Sequence, residues 1–245
     1  MKAMVLAAGL GTRLRPLTND RPKALVTVAG RTLLEITLER LRRFGVTDVM
    51  VNAHHFAGQI VDYLNEHGSF GMHVEVSREE ELLDTGGGLK KAAPFFAGAS
   101  ADEPFLVHNV DVLSSIDLGR MVAFHREHGC LATLAVQRRE SSRALLFDGQ
   151  GLLRGRRAER DETARPGENL EALAFSGIHV LSPAIFAAIE EQGAFSIIDA
   201  YLRLAAKGEG IVAFRADGSY WRDLGQPESI ALAAEDMETR RYPEA

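Results

Sequence analysis

The chain carries one cysteine, Cys130, in 245 residues. No intramolecular disulfide can form, and a reducing compartment, by default the cytoplasm, is expected. Basic excess is also missing: 28 Lys and Arg stand against 34 Asp and Glu, a net charge of −6. Such a balance gives no extended field for a polyanion or an anionic bilayer, so neither a nucleic-acid nor a membrane partner is expected. Long hydrophobic runs are absent as well. The first apolar stretch, Ala3 to Ala8, is too short for a signal-peptide core, and no later stretch reaches the roughly 20 apolar residues of a membrane span. Tryptophan occurs once, and Trp221 is read as packing rather than as a stacking platform. His54, His55, His73, His108, His125 and His128 lack the tight spacing with cysteine that marks a zinc site. There is no internal repeat and no hexapeptide periodicity at the C-terminus.

What is present is 46% hydrophobic residues, enough for a sizeable core, arranged as strand-length apolar runs alternating with stretches of helical period. This alternation places the chain in the α/β class with a mostly parallel sheet. Strands are expected at 3–8, 46–53, 72–77, 104–109, 131–137, 174–181 and 211–215. Thr32 and Glu35 have capping-box spacing for a helix that ends before Gly45. Further helices are expected at 57–66, 118–128, 183–190, 198–207 and 227–240. Leu145-Leu146-Phe147, a glycine-containing turn and Leu152-Leu153 read as an antiparallel hairpin insertion. The charged stretch from Arg154 to Glu171 reads as an exposed loop or lid. A single domain over residues 1–245 is the economical expectation.

The first strand runs into Leu6-Ala7-Ala8-Gly9-Leu10-Gly11-Thr12-Arg13-Leu14-Arg15-Pro16-Leu17-Thr18, with Pro22-Lys23 shortly after. Leu14 stands where a dinucleotide fingerprint needs its third glycine, and the Gly-Lys-Ser/Thr of a Walker loop is missing. What remains is a loop of small residues whose backbone N–H groups, with Arg13 and Lys23 nearby, can wrap a triphosphate. Taken by charge alone, Arg13, Arg15 and Lys23 read equally well as surface cations beside a turn.

Order and spacing separate the two readings, because this segment resembles the signature of the sugar-1-phosphate nucleotidyltransferase family, Leu-Ala-Ala-Gly-x-Gly-Thr-Arg-Leu-x-Pro-Leu-Thr followed by Pro-Lys. Val28-Ala29-Gly30, residues 81–89, Asn109-Val110-Asp111, Phe175-Ser176-Gly177-Ile178 and residues 220–228 match later family blocks in order. Within the family the short chain and Asp84-Thr85-Gly86-Gly87-Gly88 are most similar to uridylyltransferases of N-acetylmuramic acid 1-phosphate. The resemblance implies a Rossmann-like mixed, mostly parallel sheet flanked by helices, of the nucleotide-diphospho-sugar transferase type, with a small antiparallel insertion.

The resemblance also implies a set of roles. Leu6, Ala8, Gly9, Gly11, Thr12, Gly86 and Gly87 would bind the nucleotide, with the base between Gly86 and its neighbours and Ala8-Gly9. Arg13 and Lys23 would be catalytic. Asn109, Ser176 and Gly177 would meet the sugar, and Asn169 is a further candidate for a sugar hydroxyl, although a loop Asn also caps turns. Asp111, just beyond an apolar strand, and Asp223 would hold Mg2+, which takes one or two carboxylates with phosphate oxygens and water. Most carboxylates in residues 78–84 are expected to face solvent. Two departures stand out: Val110 replaces the usual glycine before Asp111, and no Glu-Lys-Pro element precedes Phe175.

The expected partners are a nucleoside triphosphate, UTP by resemblance, and a sugar 1-phosphate of the N-acetylated amino-sugar type. The alternative pair is GTP with a mannose- or heptose-like 1-phosphate. A choline-phosphate cytidylyltransferase shares the opening motif but needs an ammonium pocket. Outside the enzymes, a non-catalytic regulatory module that binds nucleotide sugars is the competing reading.

Overall fold

The computed structural model describes residues 1–97, 103–157, 162–239 and 241–242. They group into two compact units, one of residues 1–84, 107–117 and 219 onward, the other of residues 85–106 and 118–218. In the first unit, Lys2–Leu6, Asp48–Ala53 and His73–Arg78 run parallel, in a register that sets Lys2 beside Asp48 and Asp48 beside His73. Ala3, Met4 and Val5 are fully buried, as expected where both faces of a parallel strand are covered and the apolar run is therefore continuous.

The helix Leu33–Arg43 begins as its sequence predicts, with the Glu35 N–H donating to Thr32 Oγ1 at 3.0 Å. It ends with Gly45 at φ +78°, a left-handed residue of the kind that closes helices. Leu33, Leu34, Ile36, Leu38 and Leu41 are all buried on its inner face. Ala57–Glu66 covers His73–Arg78, and Pro227–Glu238 packs on Trp221–Asp223.

In the second unit the strand Glu171–Leu181 is shared by two neighbours. Residues 174–181 pair antiparallel with Ala132–Gln137, and residues 171–173 pair with Leu145–Phe147. Ala132–Gln137 also pairs, parallel, with Ile211–Arg215. Leu118–His128 packs on the first of these strands, and Ile197–Ala206 packs on Leu153–Arg156 and Ile211–Arg215. Phe96, Phe105 and Phe186 stack in the core of this unit, with the Phe105 and Phe186 rings 5.5 Å apart.

The expected hairpin forms from Leu145–Phe147 and Leu153–Arg156, but antiparallel pairing goes further than the hairpin. The stretch expected as an exposed loop contributes residues 154–156 of the strand Leu153–Arg156 and all of Glu162–Thr163, which pairs with it, and Glu171 opens the long strand. Residues 158–161 of it lie outside the described residues. Paired charges explain why so polar a segment makes strands: Arg156 bonds Glu162 and Asp199, so the outermost strand, Glu162–Thr163, is held by an ion pair rather than by apolar burial. The helix expected at 183–190 is a single turn, Ile185–Ala188, because Ile189 turns extended. Glu191 is drawn instead to Arg203 and Glu190 to Lys207. Among the described residues no helix is long and apolar enough to cross a membrane.

His125 is buried, with Nδ1 2.9 Å from Thr133 Oγ1, and burial, helped by the Arg126 charge, pushes its pKa down to about 4. The unfolded chain therefore takes up this proton first, so the stability present above pH ~6.5 is lost as pH falls toward 4. The wild-type unfolding free energy, followed by denaturant titration across that window, should fall more steeply than that of His125→Gln, by up to roughly 1.4 kcal/mol per pH unit. Parallel curves would contradict this.

Candidate active site

After Leu6 the chain leaves the first strand through Ala7 and Ala8, which are buried, and surfaces at Gly9 and Leu10. No atom lies within 4 Å of where a Cβ on Gly9 would stand, so its backbone is open to a ligand. Gly11 is a different case. Its φ is +63°, and a Cβ there would lie 2.9 Å from Thr18 Cγ2 and 3.2 Å from Lys23 Cβ, so both conformation and space require glycine. Thr18 Oγ1 donates to the Gly11 carbonyl at 2.8 Å and holds the loop closed. Thr12–Leu14 forms a single 3-10 turn that is anchored by fully buried Leu14 and leaves Thr12 and Arg13 exposed.

Pro22, extended at φ −69° and ψ 153°, feeds the turn Lys23–Leu25. Lys23 Nζ donates to Asp111 Oδ2 in a close ion pair whose side chains are 12% and 17% exposed. Asp111 follows the strand Phe105–Asn109, and the intervening Val110 is explained by what it touches. Its N–H donates to the Leu6 carbonyl at 3.1 Å and its side chain is buried, so the valine packs inward and leaves Asp111 beside Lys23. Asn109 is half-buried at the strand end. His108, fully buried, is held down to about 4 by burial and by the Arg40 charge. It is therefore neutral near pH 7 and adds no charge behind Asp111.

Beyond Asp111 the chain forms Val112–Ser114, which pairs antiparallel with Trp221–Asp223 and sets Asp223 opposite Val112. The Leu224 N–H donates to the Asp111 carbonyl at 2.8 Å. Two acidic residues far apart in sequence thus have their backbones joined by one short ladder. Asp223 Oδ1 accepts the Gly225 N–H at 2.8 Å. A Cβ on buried Gly225 would stand 2.6 Å from Asp223 Oδ1 and 2.7 Å from Arg13 Nη2, so the glycine is what leaves room for both side chains. Within the first unit Lys23 pairs with Asp111, and Asp223 and Arg13 both lie against Gly225. The carboxylate pair fits a magnesium ion, which needs few protein ligands when phosphates supply the rest. Asp111 Oδ2 is engaged by Lys23 and Asp223 Oδ1 by the Gly225 N–H. Among the described residues no group of three or more His, Cys, Asp or Glu side chains forms a metal cage.

In the second unit, Gly86 and Gly87 lie buried in the helix Asp84–Lys91. A Cβ on Gly86 would fall 2.2 Å from the Phe195 ring, and the Gly86 N–H donates to the Phe195 carbonyl at 2.9 Å. Its smallness is therefore already accounted for by packing. Gly177 has φ +73° within an interruption of the strand register between Phe175 and His179, and Ser176 is fully buried. Asn169 is exposed at φ +52°, the left-handed turn conformation that asparagine tolerates.

Two residues gained a role only from the tertiary structure. Gly225 sits in the matched block that carries Asp223, but nothing in the sequence tells a glycine that packs against a guanidinium from a turn glycine. Glu79 departs from the expectation for its segment: Glu80, Glu81 and Asp84 are exposed, whereas Glu79 is 4% exposed and bonded to Asn52. An asparagine inside the apolar strand Asp48–Ala53 was the available signal for it.

The nucleotidyl transferase family profile matches residues 2–240. The N-acetylmuramate alpha-1-phosphate uridylyltransferase of Caulobacter vibrioides is 35% identical over 95% of this chain and 95% of its own length. A probable mannose-1-phosphate guanylyltransferase of Oryza sativa is 31% identical over 93% of this chain, which spans 62% of that relative's length. Among solved structures, HddC from Yersinia pseudotuberculosis in complex with GMP-PN superposes with a TM-score of 0.76 at 24% identity, covering 96% of this chain and 99% of that one. The shared fold is the mixed, mostly parallel sheet flanked by helices. Because Gly11 is left-handed and crowded, Gly11→Ala should lower the unfolding free energy by at least about 1–2 kcal/mol, measured by chemical denaturation; an unchanged midpoint would argue against that strain.

Proposed function

Because the chain belongs to the nucleotidyl transferase family, among the sugar-1-phosphate nucleotidyltransferases, we propose that it condenses UTP with an N-acetylated amino-sugar 1-phosphate, such as N-acetylmuramic acid 1-phosphate, releasing pyrophosphate. The observation that supports the chemistry is that Lys23 pairs with Asp111 while the segment carrying Asp223 bonds the Asp111 backbone and lays Gly225 against Arg13. The uridylyl and amino-sugar preferences are supported by the full-length match to the Caulobacter vibrioides enzyme.

In this reading a phosphate oxygen of the sugar 1-phosphate attacks the α-phosphorus of the triphosphate, the bond to the β-phosphate oxygen breaks, and pyrophosphate leaves in line. The nucleophile is already anionic near neutral pH, so no enzyme base is required. The obstacle is the approach of two anions and the charge that builds on the leaving group. The N–H groups of the loop carrying Leu6, Ala8, Gly9, Gly11 and Thr12 orient the triphosphate. Lys23, held in place by Asp111, neutralises the reacting phosphates. Arg13, which lies against Gly225, stabilises the departing pyrophosphate. Asp111 and Asp223 would hold Mg2+, which when bound neutralises phosphate charge. The assignment of Gly86 and Gly87 to the base, and of Asn109, Asn169, Ser176 and Gly177 to the sugar, rests on the matched sequence blocks.

The second reading, GTP with a mannose-like 1-phosphate, is favoured by the guanylyltransferase relatives. Pyrophosphate release measured for four nucleoside triphosphates against several sugar 1-phosphates should give the highest kcat/KM for UTP with the amino sugar. A preference for GTP and mannose 1-phosphate would replace the first reading with the second, and no turnover on any pair would remove both. Arg13→Ala and Lys23→Ala should each lower turnover on the best pair by roughly 10²- to 10³-fold; half the wild-type rate in either variant would remove that residue from the mechanism.

A further inference from the structure

Behind the glycine loop, three backbone segments of the first unit meet on two buried side chains that the mechanism above does not use. The Ala7 N–H, where the first strand opens into the loop, donates to Asn52 Oδ1 at 2.7 Å. Asn52 Nδ2 donates to Glu79 Oε1 at 2.7 Å. The other carboxylate oxygen, Glu79 Oε2, accepts the Leu83 N–H at 3.0 Å, one residue before Asp84 at φ +58°. The Glu79 backbone is fixed too: its N–H donates to the Ala53 carbonyl at 2.7 Å and its carbonyl lies 2.9 Å from His54 Nδ1. Asn52 is 2% and Glu79 4% exposed.

A buried carboxylate is costly unless its oxygens are satisfied, and a core asparagine packs no better than an apolar residue. The Lys2–Leu6, Asp48–Ala53 and His73–Arg78 strands already pair through their backbones, so sheet formation does not need this relay. What the relay adds is a hydrogen bond to Ala7, just past the last paired residue of the first strand, and one to Leu83, past the last residue of the third. Both are positions where the sheet no longer controls the backbone.

We propose that Asn52 and Glu79 are a positioning pair for nucleotide binding, an amide–carboxylate relay that sets the Ala7 backbone, and with it the loop donors that follow, against the segment leading into Asp84. The assignment rests on the nucleotide-binding role proposed for the glycine loop. Neither side chain touches substrate; both act through backbone.

The relay has a polarity that makes it testable by exchange. In Asn52→Asp two carboxylates face each other and the middle hydrogen bond is lost. In Glu79→Gln the amide offers its oxygen either to Asn52 or to Leu83, never to both. In the double variant N52D/E79Q every bond re-forms. The carboxylate introduced at position 52 accepts from Ala7 and from the new amide at position 79, whose oxygen in turn accepts from Leu83. Each single variant should raise the UTP Kd and KM about ten-fold or more, with kcat and the KM for sugar phosphate changed less than about three-fold. The double variant should return to within about three-fold of wild type.

Calorimetric titration of UTP with Mg2+ and steady-state kinetics read the split, and thermal unfolding reports the fold; the isosteric E79Q, compared with the double variant, carries the test if N52D does not fold. Equal losses in kcat and in both KM values, single variants that bind UTP as wild type does, or a double variant worse than either single would overturn the proposal. A wild-type chain that binds UTP but transfers to no sugar phosphate would overturn the function proposed above while leaving the relay to be judged on Kd. A chain that binds no nucleotide would overturn both.

Discussion

The site depends on one short antiparallel ladder, in which Val112–Ser114 meets Trp221–Asp223 and Leu224 donates its N–H to the Asp111 carbonyl. Every other feature of the charge arrangement follows from that docking. It brings Asp223 to the strand end where Asp111 already faces Lys23, and it delivers Gly225 to the guanidinium of Arg13. Without it, the glycine loop would be an anion-binding turn with a lysine beside it. With it, the Lys23–Asp111 ion pair gains Asp223 on the adjoining strand and Gly225 against Arg13.

That balance bears on how such a site holds multiply charged substrates. A cradle built only of cations would repel itself, and a bare pair of buried carboxylates would resist ionisation. In this site the Lys23 ammonium is already paired with the Asp111 carboxylate, so a cation is positioned before phosphates enter. Backbone donors supply the rest. They carry no net charge, and in Gly11 they are held in a conformation that the Thr18 hydroxyl and the Lys23 side chain lock from behind. The same arrangement extends inward, where Asn52 and Glu79 tie the loop entrance to the next segment through hydrogen bonds alone.

Helix and strand positions were largely legible because they depend on local pattern. The capping box at Thr32, the apolar face of Leu33–Arg43 and the buried run Ala3–Val5 appear where period and composition place them. The charged stretch after the hairpin was not legible, since its strands are satisfied by ion pairs between distant residues such as Arg156 and Asp199 rather than by an alternating apolar pattern. Glu79 was obscured for a related reason: it sits among exposed carboxylates of the same kind, and only the position of Asn52 marks it as the buried one.

By itself the sequence determined the α/β class and the glycine loop with Arg13 and Lys23 close to it along the chain, because each of these is written in contiguous residues or in short spacings. Tertiary structure alone decided that the Asp223 segment pairs with the strand after Asp111, that Gly225 lies against Arg13, and that Val110 turns inward while Asp111 meets Lys23. Those outcomes depend on which segments pack together in space, and the closing of a ladder between remote segments is a property of the whole core rather than of any local run of residues.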